Sequence, residues 1–281
     1  MVVLDPRQYS HAPLDARSKA LRLRIVEIFE RGGRGHVGAS FSLVEILRVL
    51  YDDVLRYQSS NPEWPERDRF ILSKGHGCMA LYALLAEKGF FAEAELWRFC
   101  RPQGLLGGHP EHIVPGIEAS TGSLGHGLSI GVGMALALRL QGRPSRVVVV
   151  VGDGECNEGS VWEAAMSAAK HQLGQLTVMV DYNKQQSYGS TSEVLELEPF
   201  EAKWQAFGFH TQCVDGHDLQ QLRKALAPRA NCRPHAVICH TIKGRGVSFI
   251  ETNLKWHHKN AFTAEEITLA KSELAPVEPH A

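Results

Sequence analysis

The chain lacks any marked excess of charge and any long apolar run. Its 281 residues include 30 lysines and arginines against 31 aspartates and glutamates, so there is no bulk positive charge to hold a nucleic-acid backbone. No apolar stretch approaches the roughly 20 residues that a membrane-spanning helix needs. The first residues carry Asp5 and Arg7, where a signal peptide is apolar. These features predict a cytoplasmic protein that binds neither nucleic acid nor membrane.

Paired cysteines and the common nucleotide-binding motifs are missing as well. The six cysteines are scattered without a CxxC pair, which favours reduced thiols over disulfides or a zinc site. The sequence contains neither GxGxxG nor GxxxxGK[ST], so it does not predict a dinucleotide fold or a P-loop. The zinc-binding motif HExxH is also absent.

Residues 147–183 have the pattern of one βαβ unit. Val147–Val151 is a short β-branched run, typical of a strand buried on both faces. The glycines of the GDG tripeptide 152–154 then allow a tight turn. Helical spacing of small apolar residues predicts a helix from Glu158 to about His171, and Leu176–Val180 is predicted to be the second strand.

An oxygen-bearing side chain follows each of these two strands: Asp153 follows the first and Asn183 the second. Because the carboxyl ends of parallel strands share one edge of a sheet, and ligands bind at that edge, we expect the two side chains to lie close together. A carboxylate and an amide oxygen suit a hard cation such as Mg²⁺ or Ca²⁺, which commonly bridges to phosphate. The simpler alternative is an acidic turn that only caps the next helix.

The rest of the chain continues a β/α pattern, which predicts an α/β fold with a mostly parallel sheet and helices on both faces. Further helices are predicted at 14–31, 42–55, 78–88, 93–100, 125–140 and 219–227, and further strands at 69–72, 209–214 and 236–240. Four glycines between positions 125 and 133 predict a helix packed very closely on its neighbours. The Gly-, Pro- and His-rich connection 101–123 is long enough to predict a functional loop.

Four of the fourteen histidines stand in glycine-rich or loop settings. They are His36, His76, His109 and His257. This placement favours a cleft that binds hydroxyl groups and moves protons, because histidine titrates near neutral pH. Any one of them, taken alone, is about as well explained as a structural residue.

The GDG turn, followed about thirty residues later by an asparagine, resembles the thiamine diphosphate motif, and GDGECNEGSVWEA resembles its transketolase version. Other segments agree in the order found in the transketolase family, namely GRGHVGAS, SKGHGCMALYALL, GGHPE, STGSLGHGL and HTIKGRGVSF. The resemblance implies a thiamine diphosphate-binding fold with a divalent ion, Mg²⁺ or Ca²⁺. It also implies transfer of a two-carbon ketol unit from a ketose phosphate to an aldose phosphate, as in the pentose phosphate pathway.

The resemblance further implies roles for individual residues. The metal ligands would be Asp153, Asn183 and the backbone carbonyl of Gln185. The cofactor would be bound by Lys74, His76, Gly122, Ser123, Leu124, Gly152, Asp153, Gly154, Glu158, Asn183, Lys243 and His257. The catalytic and substrate-binding histidines would be His36, His76, His109 and His257. His258 stands where glycine is common in the family, so the choice between His257 and His258 stays open.

No segment matches the pyrimidine-binding domain of the family, whose glutamate protonates the cofactor. We therefore expect residues 1–281 to form one diphosphate-side domain, with a helical extension at about 1–60 and a helix and tail at about 262–281. The chain would be the amino-terminal subunit of a split transketolase. It would be active only with a carboxyl-terminal subunit that carries the pyrimidine-binding domain, in a heterotetramer of two chains of each kind.

Three alternatives share the GDG turn and the distal asparagine. The chain resembles to a lesser degree the alpha subunit of a 2-oxo-acid dehydrogenase, or a deoxyxylulose-phosphate synthase-like chain. The third alternative is a cofactor-binding subunit without catalytic activity.

Overall fold

A parallel five-stranded sheet forms the centre of the computed structural model, which describes residues 12–229, 232–256 and 261–275. The strands are β1 (Arg69–Leu72), β2 (Val147–Gly152), β3 (Leu176–Tyr182), β4 (His210–Asp215) and β5 (His235–His240). Their order across the sheet is β1-β2-β3-β5-β4, and all neighbouring pairs are parallel. The predicted α/β fold with a parallel sheet is therefore confirmed.

Helices cover both faces of this sheet. Within the described residues they are α1 (Ala16–Gly32), α2 (Val37–Phe41), α3 (Val44–Val49), α4 (Cys78–Glu87), α5 (His126–Leu140), α6 (Gly159–Lys170), α7 (Thr191–Val194), α8 (Phe200–Ala206), α9 (Leu219–Ala225) and α10 (Ala264–Leu274). Short 3₁₀ turns occur at Gly75–Gly77, Glu93–Arg98, Gly154–Asn157 and Leu254–Trp256, and a π-turn at Leu50–Val54 extends α3.

The valine run of β2 shows why the sheet is buried on both sides. Val148 and Val150 pack into one apolar cluster together with α1, α3 and α4, whereas Val149 and Val151 pack into a second cluster together with α5, α6 and α8. Because side chains alternate along a strand, a strand covered on both faces needs an unbroken apolar run. The run that the sequence displays is the consequence of this two-sided burial.

The glycines of α5 allow the close packing that the sequence predicts at two positions but not at a third. A Cβ on Gly127 would lie 2.8 Å from the Cα of Ser73, and a Cβ on Gly131 would lie 2.5 Å from Cγ2 of Val149. A Cβ on Gly133 would meet no atom within 4 Å. The prediction of close packing is therefore wrong for Gly133, which faces outward.

The helix predicted over 42–55 is present as α3 and the π-turn that extends it, but its predicted amphipathic character is wrong, because the segment is buried through most of its length. Its polar residues gave a misleading pattern, because Glu45 pairs with the buried guanidinium of Arg22 at 2.7 Å and Arg48 pairs with Asp15 at 2.7 Å. Helices α2, α7 and α8 were not predicted.

The carboxyl-terminal part of the described chain packs against its beginning. The rings of Phe29 in α1 and Phe262, just before α10, meet edge to face with centroids 4.9 Å apart. The boundaries of the domain and of its two extensions stay predictions. None of the helices in the described ranges has both the length and the apolar character that crossing a bilayer requires.

Candidate active site

A cavity of about 230 Å³ opens at the carboxyl ends of the strands. The predicted site residues that line it are His36, Lys74, His76, His109, Gly122, Leu124, Gly152, Asp153, Gly154, Asn183, Gln185 and Lys243. They come from the ends of β1, β2, β3 and β5, from the segment before α2 and from the loop 101–123. Ser123 and Glu158 are exposed and do not line the cavity. His257 and His258 lie outside the described residues.

The turn after β2 and the turn after β3 are hydrogen-bonded to each other through Asp153. The carboxylate accepts the N–H of Gly154 at 2.7 Å and the N–H of Lys184 at 2.6 Å. Lys184 has φ +62°, a left-handed conformation that bends the chain back toward Asp153. The βαβ topology thus brings the two strand ends together, as the spacing of the GDG turn and the asparagine predicts.

Several oxygen atoms converge beside Asp153. The amide oxygen of Asn183 accepts the N–H of Gln185 at 3.1 Å, and the carbonyl of Gln185 accepts Nζ of Lys243 at 3.3 Å. The side-chain Oε1 of Gln185 is buried and has no hydrogen-bond partner within the described part of the chain. One carboxylate, one amide oxygen and one carbonyl are hard donors that fit Mg²⁺ or Ca²⁺.

The charged side chains of the cavity favour a bound cation next to a bound anion. Burial, and then the neighbouring carboxylate of Asp181, raise the pKa of Asp153 to about 6. Burial, and then the ammonium group of Lys74, lower the pKa of Lys243 to about 8. Each shift shows that the site penalises the charged form of the side chain. A cation beside Asp153 and an anion beside Lys243 would relieve both penalties, so the residues fit a metal ion that carries a diphosphate.

A soft-metal site does not compete with this arrangement. Among residues 12–229, 232–256 and 261–275, no group of three or more histidines, cysteines, aspartates and glutamates is placed to hold a metal ion. Zinc sites are built from such ligands. Cys156 follows the turn Gly152–Gly154, here called the metal turn. Its thiol is buried, and burial raises the pKa of this thiol far above its usual range. Cys156 is therefore an inert core residue.

No role was predicted for Asp181, whose carboxylate links β3 to three other segments of the chain beside the site. This fully buried carboxylate pairs with Nζ of Lys74, and it accepts the hydroxyls of Ser42 at 2.6 Å and of Thr241. The ion pair fixes Lys74, which the sequence assigned to the diphosphate, against β3. An acidic residue inside the apolar run of β3 was the available signal, because a buried charge needs a partner.

The three described histidines of the predicted set all line the cavity. The rings of His36 and His76 meet edge to face with centroids 5.3 Å apart. The ring of His109 packs over Gly122, where a Cβ would come within 3.2 Å of its Cδ2. The hydroxyl of Tyr82 donates to the carbonyl of His109 at 2.8 Å. Burial lowers the pKa of His109, so this ring is neutral at pH 7 and can both donate and accept hydrogen bonds.

The chain is similar to known proteins in both sequence and structure. Residues 15–281 match the family model described as "Transketolase, thiamine diphosphate binding domain". The 6-deoxy-6-sulfo-D-fructose transketolase subunit of Clostridium sp. (strain MSTE9) is 43% identical over 270 residues, which cover 94% of this chain and 98% of that protein. An apulose-4-phosphate transketolase subunit of Actinobacillus succinogenes is 41% identical, over 96% of this chain and 99% of that protein.

Longer proteins match over only part of their length. Human transketolase is 37% identical over 90% of this chain, which spans 41% of the human protein. The structure of transketolase from Leishmania mexicana superposes with a TM-score of 0.86 at 32% identity, over 94% of this chain and 42% of that one. The chain thus spans about two-fifths of these two proteins and nearly all of the two proteins named as subunits.

Proposed function

The chain belongs to the transketolase family, and on that premise we propose that it is the amino-terminal subunit of a split transketolase that uses thiamine diphosphate and a divalent metal ion. The reaction is transfer of a two-carbon ketol unit from a ketose to an aldose. The observation that carries the proposal is the cavity at the carboxyl edge of the sheet, where Asp153 and Lys243 both favour the charges of a metal diphosphate.

The residues divide into a metal side and a diphosphate side. Asp153, Asn183 and the carbonyl of Gln185 would hold the metal ion, and Mg²⁺ fits because it accepts few protein ligands when phosphate oxygens complete its shell. Lys243 would contact the diphosphate directly. Lys74 is committed to Asp181, so it would act on the diphosphate through its field rather than as a free donor.

When it is bound, thiamine diphosphate supplies the carbanion chemistry that makes and breaks the carbon–carbon bond. The chain contributes the surroundings of that chemistry. His36, His76 and His109 line the same cavity, where they would bind sugar hydroxyls and move protons on and off the substrate. His257, which lies outside the described residues, is proposed for the same group.

A second subunit is part of the proposal, because the two relatives that match along nearly their whole length are named as subunits. The surface that would receive it is the outer face of α5 and α6, here called the α5–α6 face and defined by His126, Ile130, Gly133, Leu140 and Met166. All five are exposed, Leu140 by 78% and Met166 by 55%. Three of the five, Ile130, Leu140 and Met166, carry exposed apolar side chains, and neighbouring exposed apolar side chains are typical of an interaction site.

The position of the α5–α6 face favours the subunit that carries the pyrimidine-binding domain as its occupant. Helix α5 begins at His126, two residues after Leu124, which lines the cavity, and α6 begins directly after the exposed Glu158. A partner seated on this face would therefore reach over the cavity mouth and meet the other end of the cofactor. We propose a heterotetramer of two chains of each kind.

The substrate class is proposed from the names of the relatives. One is named for 6-deoxy-6-sulfo-D-fructose and another for apulose 4-phosphate, and both names describe a ketose that ends in an anionic group. We propose that the donor for this chain is also a ketose with an anionic end. A panel of xylulose 5-phosphate, apulose 4-phosphate and 6-deoxy-6-sulfofructose, with pyruvate as the control for a 2-oxo-acid enzyme, identifies it.

The test of the proposed function is reconstitution. The chain and its carboxyl-terminal partner are purified separately, and ketol transfer is measured for each alone and for the mixture with thiamine diphosphate and Mg²⁺. We expect activity only in the mixture. Strong activity of this chain alone would refute the split enzyme, and turnover of pyruvate instead of a ketose would favour the 2-oxo-acid alternative.

A substitution at His109 distinguishes a live site from a cofactor-binding subunit without activity. His109→Ala is expected to reduce turnover sharply and to leave cofactor binding by the mixture nearly unchanged. Equal turnover for His109→Ala and the wild type would mean that this histidine does not act on the substrate.

The α5–α6 face is tested by association. Met166→Lys is expected to weaken complex formation in size-exclusion chromatography, because it places a charge in the apolar contact. Leu269→Lys is the matched control, since Leu269 is 45% exposed on α10, away from this face. Equal weakening by both substitutions would refute the proposed surface.

A further inference from the structure

Glu155 links three segments that surround the cofactor cavity. It follows the metal turn, within the 3₁₀ turn Gly154–Asn157, and is 2% exposed. Its Oε2 accepts the N–H of Gly152 at 3.0 Å. Its Oε1 accepts the N–H of Gly125 at 2.9 Å and the hydroxyl of Ser73. One side chain therefore joins the exit of β1, the start of α5 and the exit of β2.

The peptide of Gly125 is held on its other side as well. The hydroxyl of Ser160 in α6 donates to the carbonyl of Gly125 at 2.9 Å. Gly125 has φ +79°, and a Cβ there would lie 2.8 Å from the Cβ of Glu158. The N–H, the carbonyl and the Cα of this residue are thus all fixed against the segment that follows the metal turn.

The hydrogen bonds that Glu155 makes to Gly125 and Gly152, here called the clamp, join two walls of the cavity. One wall is the loop that ends at Gly125 and includes Gly122 and Leu124; the other is the metal turn at Gly152–Gly154. The two walls are separated by about the whole of α5 and β2 along the chain. The distance between the two walls therefore depends on tertiary contacts. Glu155 supplies two such contacts, one hydrogen bond to the backbone of each wall.

We propose that Glu155 is a positioning residue that sets the spacing between the loop that would face the thiamine rings and the turn that would face the metal diphosphate. The proposal rests on the proposed function. Glu155 acts through Gly125 and Gly152. It holds them at the spacing that would suit a cofactor with thiamine rings at one end and a diphosphate at the other. The consequence is specific: loss of the clamp weakens a ligand that touches both walls more than a ligand that touches only the metal turn.

Asp68 provides a matched control for a purely structural effect. Its buried carboxylate also accepts two backbone N–H groups from separate segments, that of Arg56 at 2.9 Å and that of Arg146 at 2.7 Å. It precedes β1 and so lies at the amino edge of the sheet, away from the cavity. Asp68→Asn and Glu155→Gln therefore disturb backbone hydrogen bonds at opposite edges, and Asp68→Asn also removes the ion pairs with Arg56 and Arg146, both at 3.3 Å.

The experiment compares two probes on the reconstituted complex by calorimetry: thiamine diphosphate with Mg²⁺, and inorganic pyrophosphate with Mg²⁺. Glutamine at position 155 has one oxygen, and its NH₂ group would face a backbone N–H. We expect Glu155→Gln to weaken binding of thiamine diphosphate about tenfold or more, as is typical when a residue supporting a bound group is lost. Its affinity for pyrophosphate should stay close to that of the wild type.

The outcomes separate this inference from the proposed function. Asp68→Asn should lower thermal stability but leave both affinities close to the wild type. Equal weakening of both probes by Glu155→Gln, or no weakening, would overturn the positioning role alone. Failure of the wild-type complex to bind thiamine diphosphate would overturn the proposed function and this role with it.

Ser160→Ala keeps the test decisive if Glu155→Gln does not fold. This substitution removes only the bond to the carbonyl of Gly125, at a partly exposed residue. It is expected to give a smaller loss that is again selective for thiamine diphosphate over pyrophosphate. A folded Ser160→Ala complex without that selectivity would also overturn the proposal.

Discussion

Alanine substitutions at three glycines of α5 test how closely this helix is packed on the sheet. Gly131→Ala places a Cβ 2.5 Å from Cγ2 of Val149, and such overpacking of a core costs about 1–3 kcal/mol. Alanine in place of glycine inside a helix returns about 1 kcal/mol. The net result for Gly131→Ala is a loss of about 0–2 kcal/mol in the free energy of unfolding.

The other two substitutions bracket this value. At Gly127 the new Cβ would meet the Cα of Ser73 at 2.8 Å, and backbone cannot turn away as a side chain can. Gly127→Ala is therefore expected to cost about 3 kcal/mol, the upper end of the overpacking range, and to lose about 2 kcal/mol net after the same return of about 1 kcal/mol. At Gly133 no atom lies within 4 Å, so Gly133→Ala should gain about 0.5–1 kcal/mol.

Urea unfolding followed by circular dichroism measures the series. The expected order of stability is Gly133→Ala, wild type, Gly131→Ala and Gly127→Ala, from highest to lowest. Equal stability of the three variants would refute the packing of α5 described here. Gly133→Ala also lies on the α5–α6 face, so weaker binding of the partner subunit by this stabilised variant would support that surface.

Three further predictions concern buried charge. Lys74→Met leaves Asp181 buried without its ion partner and should cost about 3–5 kcal/mol in urea unfolding; a cost below about 1 kcal/mol, the value of an exposed pair, would contradict the buried pair. Burial, and then the charge of Lys184, lower the pKa of His240 to about 4 in the folded chain. As the pH falls, this histidine is therefore protonated first in the unfolded chain. The folded chain loses about 3 kcal/mol of stability between pH 6.5 and 4 as a result. His240→Gln should flatten that part of the pH–stability curve, and an unchanged slope would show that His240 is not the cause. Asp153→Asn should abolish Mg²⁺-dependent binding of thiamine diphosphate while the chain stays folded, and binding at wild-type affinity would exclude this residue as a ligand.

Sequence reasoning succeeded where local pattern and topology determine the result. The valine run of β2 and the glycine turn after it specify a buried parallel strand and its exit, and parallel strands bring Asp153 and Asn183 to one edge. The loop 101–123 was predicted as functional from its length and composition, and it does carry His109 and Gly122 into the cavity.

The errors arise where distant contacts decide the role of a residue. Glu45 looks like a solvent-facing residue of an amphipathic helix until Arg22, 23 residues earlier, pairs with it in the core. Glu155 and Asp181 were overlooked because their partners are remote, as the bond from Ser73 to Glu155 across 82 residues shows. Periodic patterns in a sequence carry no information about such long-range contacts.

Calorimetric titration of thiamine diphosphate into the reconstituted complex tests whether the ends of β2 and β3 bind a metal diphosphate. We expect binding in Mg²⁺ that is lost when the metal is chelated, and that is lost in the Asn183→Ala complex even with Mg²⁺ present. Binding of equal strength with and without the metal, or no binding by the wild-type complex, would contradict a metal diphosphate site at the ends of β2 and β3.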